Sequence, residues 1–84
     1  MMVICLKAPG LSGPKVGLAV PRSLGKSVVR NRVRRRLREA ARLNLGLLGP
    51  ELAVVIQARK TALEAPFEDL KKEVEKLFRR CGRL

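Results

Sequence analysis

The residues best suited to do chemistry in this chain are basic, and they lie close together. Residues 22–42 contain nine Lys or Arg residues and one acid, so this quarter of the chain carries a net charge of +8 out of a total of +12. The basic residues are Arg22, Lys26, Arg30, Arg32, Arg34, Arg35, Arg36, Arg38 and Arg42. So local an excess indicates a polyanion site, and the planar donor fork of arginine suits phosphate.

The spacing of these residues places most of them on one face of a helix, predicted over Val28–Leu43. Its apolar positions form one stripe: Val29, Val33, Leu37, Ala40 and Ala41. At about 100° per residue the opposite face collects Arg30, Asn31, Arg34, Arg35, Arg38 and Arg42. Arg32 falls at the border. Arg36 falls on the apolar side, where its stem is expected to run along the edge of the core.

The charge on this helix has two interpretations, a solvated face and a ligand-binding face. Like charges at i and i+4, as in Arg30 and Arg34, each destabilise a helix by about 0.2–0.5 kcal/mol. Only Glu39 is close enough in sequence to offset them. An uncompensated face is therefore better explained by phosphates that complete it. Asn31 adds a group that both donates and accepts hydrogen bonds, toward a sugar or a base edge.

The class of polyanion follows from what else the sequence offers. A membrane-binding helix needs large hydrophobic residues beside its basic face. The apolar residues of this helix are only Val, Leu and Ala, and they are needed for the core. Base-specific single-strand binding relies on exposed aromatics, but only Phe67 and Phe78 exist and both fall on a predicted buried stripe. Structured RNA or a duplex backbone is favoured. The alternatives are a small structural nucleic-acid-binding protein, ribosomal or DNA-compacting, and a polybasic module for an acidic protein.

The composition argues against a protein-only active site. The chain has no His, so the usual general base near neutral pH is missing. Its two cysteines, Cys5 and Cys81, have no metal-ligand spacing and are expected to be small core residues in a reducing cytoplasm. We predict no catalytic residue, no metal ligand and no cofactor bound by the protein alone. The N-terminus does not resemble a signal peptide and no apolar run is long enough to span a membrane, so a cytoplasmic location is expected.

The remaining elements are predicted from periodicity and turn residues. Met1–Lys7 and Lys15–Val20 are expected to be strands joined as a hairpin, ended by Pro21. Ser27 is the expected N-cap of the basic helix. The apolar run Leu52–Ala58 suits an interior strand and is followed by Arg59 and Lys60; a last helix is expected to have Pro66 at its first position. The order β-β-α-β-α predicts one domain, residues 1–84, folded as an α/β (α+β) two-layer sandwich with a small sheet covered by helices.

The stretch Gly25–Glu39, which contains Arg30-Asn31-Arg32, resembles the signature of the bacterial ribonuclease P protein subunit. That family carries an Arg-Asn-Arg-type motif on a helix after a basic, glycine-containing turn. The flanking segments Val16–Val20, Ala53–Lys60 and Phe67–Leu70 are similar to its preceding strand, last strand and C-terminal helix. The resemblance covers nearly the whole chain, and its most specific part is Arg30–Glu39.

The resemblance implies a function. Ribonuclease P removes the 5′ leader from precursor tRNA, and its bacterial catalytic subunit is RNA. The chain would be the non-catalytic protein subunit of this enzyme, with precursor tRNA as a further partner and magnesium in the RNA holoenzyme. The expected RNA-binding residues are Arg22, Lys26, Arg30, Asn31, Arg32, Arg34, Arg35, Arg38, Arg42, Arg59 and Lys60. The family also implies a left-handed β-α-β crossover through the basic helix, against the general right-handed preference.

The chain departs from the family pattern in three respects. The family usually begins with a basic arm and a helix that forms one wall of a leader-binding cleft, whereas here Met1 already lies on the first predicted strand. The expectation is a domain shortened at its N-terminus and lacking that helix. Pro21 and Ser23 stand where small and basic residues, respectively, are common. The sheet face left uncovered is a candidate surface for a homodimer.

Overall fold

A computed structural model describes residues 2–82. Its three strands are β1 (Met2–Lys7), β2 (Lys15–Ala19) and β3 (Leu52–Gln57), and its three α-helices are α1 (Ser27–Leu43), α2 (Thr61–Glu64) and α3 (Phe67–Cys81). Short 3-10 turns, Arg22–Leu24 and Leu45–Leu47, flank α1. The expected order β-β-α-β-α is therefore confirmed, with one short helix, α2, added before the last.

The sheet does not contain the predicted hairpin. Its strand order is β1-β3-β2, so β3 lies between the two strands that were expected to pair. β1 runs antiparallel to β3, with Val3 opposite Ile56, and β2 runs parallel to β3, with Val16 opposite Val54. The hairpin prediction was wrong because β3, apolar on both faces, takes the central position, where each edge meets a partner. The β2-α1-β3 connection is the predicted crossover; its left-handedness stays a prediction.

The helices α1 and α3 cover one face of the sheet. Strand β3 buries Leu52, Val54 and Ile56 beneath them, in alternation with residues that face the other way. The helices contribute the fully buried Val33, Leu37, Leu70, Val74 and Phe78. Alternation in the central strand and a 3.6-residue period in the helices thus produce one core between two layers, as the sequence predicts.

The other face of the sheet is open within residues 2–82. On β1, Ile4 and Leu6 are 53% and 57% exposed. Their partners across the pairing with β3 are Val55 and Ala53, which share that face. An apolar strip therefore crosses the sheet on the side away from the helices.

Two helix starts differ from their predicted positions. Lys26, not Ser27, is the N-cap of α1, and the Ser27 hydroxyl instead accepts a hydrogen bond from Arg30 Nη2 at 3.4 Å. Pro66 is the N-cap of α3 rather than its first helical residue. Gly25, just before α1, has φ = 136°, a conformation that residues with a Cβ rarely adopt, and so it fixes the turn from which the basic helix starts.

The cysteines depart from the prediction of two free core thiols. Cys5 on β1 and Cys81 at the end of α3 form a disulfide, with a Cα–Cα distance of 5.7 Å that is normal for such a bond. Cys81 is buried, as predicted, and Cys5 is half-buried. The pairing could not be foreseen because the two residues are 76 positions apart and meet only when β1 and α3 pack in the same domain.

Candidate nucleic-acid interface

The helix α1 separates its apolar and basic residues as the periodicity predicts. Val33, Leu37, Ala40 and Ala41 are buried against the rest of the domain. Of the eleven residues predicted to bind RNA, nine are exposed, and Arg30 and Arg34 are half-buried. The structure therefore brings Arg30, Asn31, Arg32, Arg34, Arg35, Arg38 and Arg42 to the solvent side of one rigid element. We call this surface the arginine face.

Arg36 is the arginine of α1 that serves the fold. It is half-buried, and its guanidinium donates to the carbonyl oxygens of Ala62 at 2.8 Å and Leu63 at 2.5 Å, and also to that of Ala65. These carbonyls lie in and just after α2, where a helix leaves its last C=O groups without intrahelical partners. The residue that does not fit the arginine face is thus a cap for a neighbouring helix.

Local hydrogen bonds position several side chains of the arginine face. Arg34 Nη1 donates to Asn31 Oδ1 at 2.9 Å, one helical turn away. Arg30 Nε is shielded from solvent and has no hydrogen-bond partner within residues 2–82. Arg38 forms no ion pair or hydrogen bond within residues 2–82, so its guanidinium is available to a ligand.

One acid reduces the charge of this surface at its C-terminal end. Arg42 Nη2 lies 2.5 Å from Glu39 Oε1, and Arg42 Nε donates to Glu39 Oε2 at 3.1 Å. The hydrogen bond from Arg42 lowers the pKa of Glu39 below its ordinary value, and the same bond raises the pKa of Arg42. Both groups are exposed, so the pair neutralises charge more than it stabilises the fold.

The predicted residues outside α1 gather at one end of the sheet. β2 and β3 are parallel, so their C-terminal ends meet at the same edge, where Ala58 N donates to Ala19 O at 2.9 Å. The turn with Arg22 and the N-cap Lys26 follow β2, and Arg59 and Lys60 follow β3. All four are exposed. They extend the positive charge beyond the N-terminal end of the arginine face.

Two concavities are formed by side chains of α1. A shallow one lies on the arginine face and is lined by Asn31, Arg34, Arg35 and Arg38. The second is a groove between α1 and the edge strand β2. We call it the edge groove; its lining residues are Pro14, Val16, Leu18, Arg34, Arg38, Ala41, Arg42 and Leu45. Arg34 and Arg38 line both, so the two concavities are adjacent.

Residues 2–82 contain no group of three or more His, Cys, Asp or Glu side chains that could hold a metal ion. Over the same residues, none of the helices has the length and apolar character of a membrane span.

Sequence reasoning missed the role of Asn44. It is 8% exposed, and its Nδ2 donates to the Ala40 carbonyl at 3.0 Å and to the Lys71 carbonyl at 3.1 Å. The side chain thus ties the C-terminal end of α1 to α3 and fixes the helix that carries the arginine face. An Asn directly after a predicted helix was the available signal, but its partner on α3 is not readable from sequence.

Comparisons with known proteins agree with the fold. The family model described as Ribonuclease P matches residues 1–82. The ribonuclease P protein component of Symbiobacterium thermophilum is 46% identical over 83 residues, which are 99% of this chain and 72% of the relative. That of Brucella suis is 45% identical over 64 residues, 75% of this chain but only 45% of the relative.

Solved structures show the same architecture. The RNase P protein from Thermotoga maritima superimposes with a TM-score of 0.81 at 28% identity, over 93% of this chain and 74% of that one. The RNase P protein of Staphylococcus aureus shares the fold, with a TM-score of 0.76 at 19% identity, over 93% of this chain and 71% of the other. With a family model that spans almost all of its residues, this chain belongs to the ribonuclease P protein family.

Proposed function

We propose that this chain is the RNA-binding subunit of ribonuclease P, and that it assists a catalytic RNA in removing the 5′ leader of precursor tRNA. The observation that carries the proposal is the arginine face itself. It projects several guanidinium groups from one side of a helix whose other side is anchored in the core, and Glu39 is the only acid on α1. Membership of the ribonuclease P protein family supports the catalytic RNA of that enzyme as the partner.

In this function the protein binds and orients, while RNA breaks the phosphodiester bond. The arginines would neutralise phosphates where strands of the catalytic RNA approach one another. Arginine forms bidentate, charge-assisted bonds to phosphate oxygens, and Asn31 reaches a sugar or base edge. Arg22, Lys26, Arg59 and Lys60 would extend the contact toward the end of the sheet. We assign binding roles to all eleven predicted residues and a catalytic role to none.

The test is cleavage of a precursor tRNA by a cognate catalytic RNA at low magnesium, with and without this protein. Acceleration by the wild-type protein, lost when Arg35 and Arg38 are replaced by Ala, is the expected result. Cleavage that is indifferent to the protein contradicts the proposal. Sequencing of RNA recovered with the protein from lysate provides the second criterion: one large structured RNA supports it, whereas unselective recovery favours a structural nucleic-acid-binding protein.

As a secondary proposal, this chain forms a homodimer through the sheet face on which Ile4 and Leu6 are exposed. Two copies that packed face to face would remove this apolar strip from water. Sedimentation equilibrium of the wild type and of Ile4→Lys tests it. A dimer that the substitution converts to monomer is expected, and a monomeric wild type would end the proposal.

A further inference from the structure

The edge groove has a chemical character different from that of the arginine face. Its floor is apolar, built from Pro14, Val16 and Leu18 on the strand side and from Ala41 and Leu45 on the helix side. Its volume is about 410 Å³, within the range of about 300–1,000 Å³ that is usual for small-ligand sites. Ala41 has the smallest side chain among the lining residues of the groove.

The rim of the groove is cationic. Arg34, Arg38 and Arg42 stand along it, on successive turns of α1. A ligand that matches both parts must carry a compact apolar group and negative charge directly beside it. A nucleotide has this combination, because each base is attached to a ribose that carries a backbone phosphate.

The position of the groove beside the arginine face indicates the source of the nucleotide. Arg34 and Arg38 line both concavities, so an RNA strand whose phosphates follow the arginine face passes the mouth of the groove. β2 is an edge strand, and its outer N–H and C=O groups are not used by the sheet. Such unpaired backbone groups can form hydrogen bonds with a base that lies beside the strand.

We propose that the edge groove receives a single unpaired base of the RNA bound by the arginine face. This inference rests on the proposed function and deepens it: the chain would bind an unstacked nucleotide in addition to a phosphate backbone. The floor has no aromatic ring and no polar side chain, so the base would be held by apolar contact with little sequence preference. Selectivity is then for an unpaired position rather than for a particular base.

The test uses two short RNA duplexes that differ in one group. One carries a single-adenosine bulge, and the other carries an abasic ribose at the bulge. Fluorescence anisotropy at one fixed salt concentration gives the two dissociation constants. The wild type is expected to bind the adenosine bulge about five-fold or more tightly than the abasic bulge, a difference of about 1 kcal/mol.

Three variants separate the groove from the fold. Ala41→Met fills the groove with a flexible side chain and is expected to abolish the preference for adenosine. Leu45→Ser removes an apolar floor residue that is 37% exposed and is expected to reduce the preference. Leu43→Ser is the matched control, because Leu43 is 46% exposed and is not part of the groove lining. Its preference should equal that of the wild type.

The outcomes distinguish the two proposals. Equal affinity of the wild type for both duplexes overturns the groove inference and leaves RNA docking intact. Failure to bind either duplex overturns the groove inference, and cleavage of precursor tRNA then decides the proposed function separately. Retention of the adenosine preference in a folded Ala41→Met protein overturns the groove as its location. If an acidic, leucine-containing peptide binds at the wild-type groove and displaces no RNA, the occupant is peptide and the inference is wrong.

Discussion

The guanidinium of Arg36 lies 2.8 Å from the carbonyl oxygen of Ala62, which is 26 positions away in the chain. Further bonds to the carbonyls of Leu63 and Ala65 make this side chain the cap of α2. Its neighbour Arg35 is exposed on the arginine face. Two adjacent arginines on one helix therefore have separate roles, one in the fold and one in binding.

This separation predicts opposite effects of two similar substitutions. Arg36→Ala leaves partly buried carbonyls without a charged donor and should lower the free energy of unfolding by about 2–3 kcal/mol. Arg35→Ala should leave stability unchanged within about 0.5 kcal/mol, because it is an exposed position. Urea denaturation followed by circular dichroism measures both. Equal stability of the two variants would show that the Arg36 bonds do not support α2.

The arginine face should bind RNA with a strong dependence on salt. Five to seven phosphate contacts correspond to a log–log slope of roughly −4 to −6, at about 0.7–0.9 per contact. The double variant Arg34→Ala/Arg38→Ala should bind RNA more weakly. Its log–log slope should be less steep by about 0.7–0.9 for each arginine removed. The same change relieves like-charge repulsion with Arg30 and Arg42, so thermal stability should stay level or rise. A wild-type slope near −1 would contradict docking through this surface.

Glu39 is expected to restrain RNA binding, since it pairs with Arg42 at 2.5 Å. Glu39→Gln frees that guanidinium and removes a negative charge beside the phosphates, so affinity should increase and the slope should steepen by up to about 0.9. Because Arg42 lowers the pKa of Glu39, the carboxylate stays charged until the pH falls below the ordinary glutamate range. The wild type should therefore gain affinity only at strongly acidic pH, and the variant should not.

A matched control is present on another helix. Glu75 pairs with Arg79 at 2.9 Å on α3, outside the arginine face. Glu75→Gln should change neither the affinity nor the slope. A similar gain in both variants would mean that net charge, rather than the position of Glu39, determines binding.

Much of this architecture is predictable from local sequence, and the exceptions share one cause. The stripe from Val33 to Ala41 and the buried run of β3 follow from periodicities within a single element. Pairing of β1 with β3, the Cys5–Cys81 bond and the cap formed by Arg36 each join residues that are distant in sequence. No spacing rule encodes such contacts, so the hairpin and the free thiols were plausible but wrong. The unusual role of Arg36 was nevertheless detectable from local sequence, because Arg36 is the one charged residue on the apolar side of the helix.

The disulfide should contribute strongly to stability. It closes a loop of 76 positions, for which the loss of chain entropy in the unfolded state amounts to about 4.5 kcal/mol. Cys5→Ser should lower the midpoint of thermal unfolding, and dithiothreitol should not change the midpoint of this variant. In the wild type, dithiothreitol should lower the midpoint toward that of the variant. RNA affinity should change little below the midpoint, because neither cysteine lies on α1.

Thiol titration supplies the deciding measurement for this bond. Protein unfolded in guanidinium without reductant should show no reactive thiol, since the described cysteines are both paired. After reduction it should show two reactive thiols. Two thiols before reduction would show that Cys5 and Cys81 pack side by side unbonded. In that case the 5.7 Å Cα–Cα distance would reflect core packing alone, and dithiothreitol should leave the unfolding midpoint of the wild type unchanged.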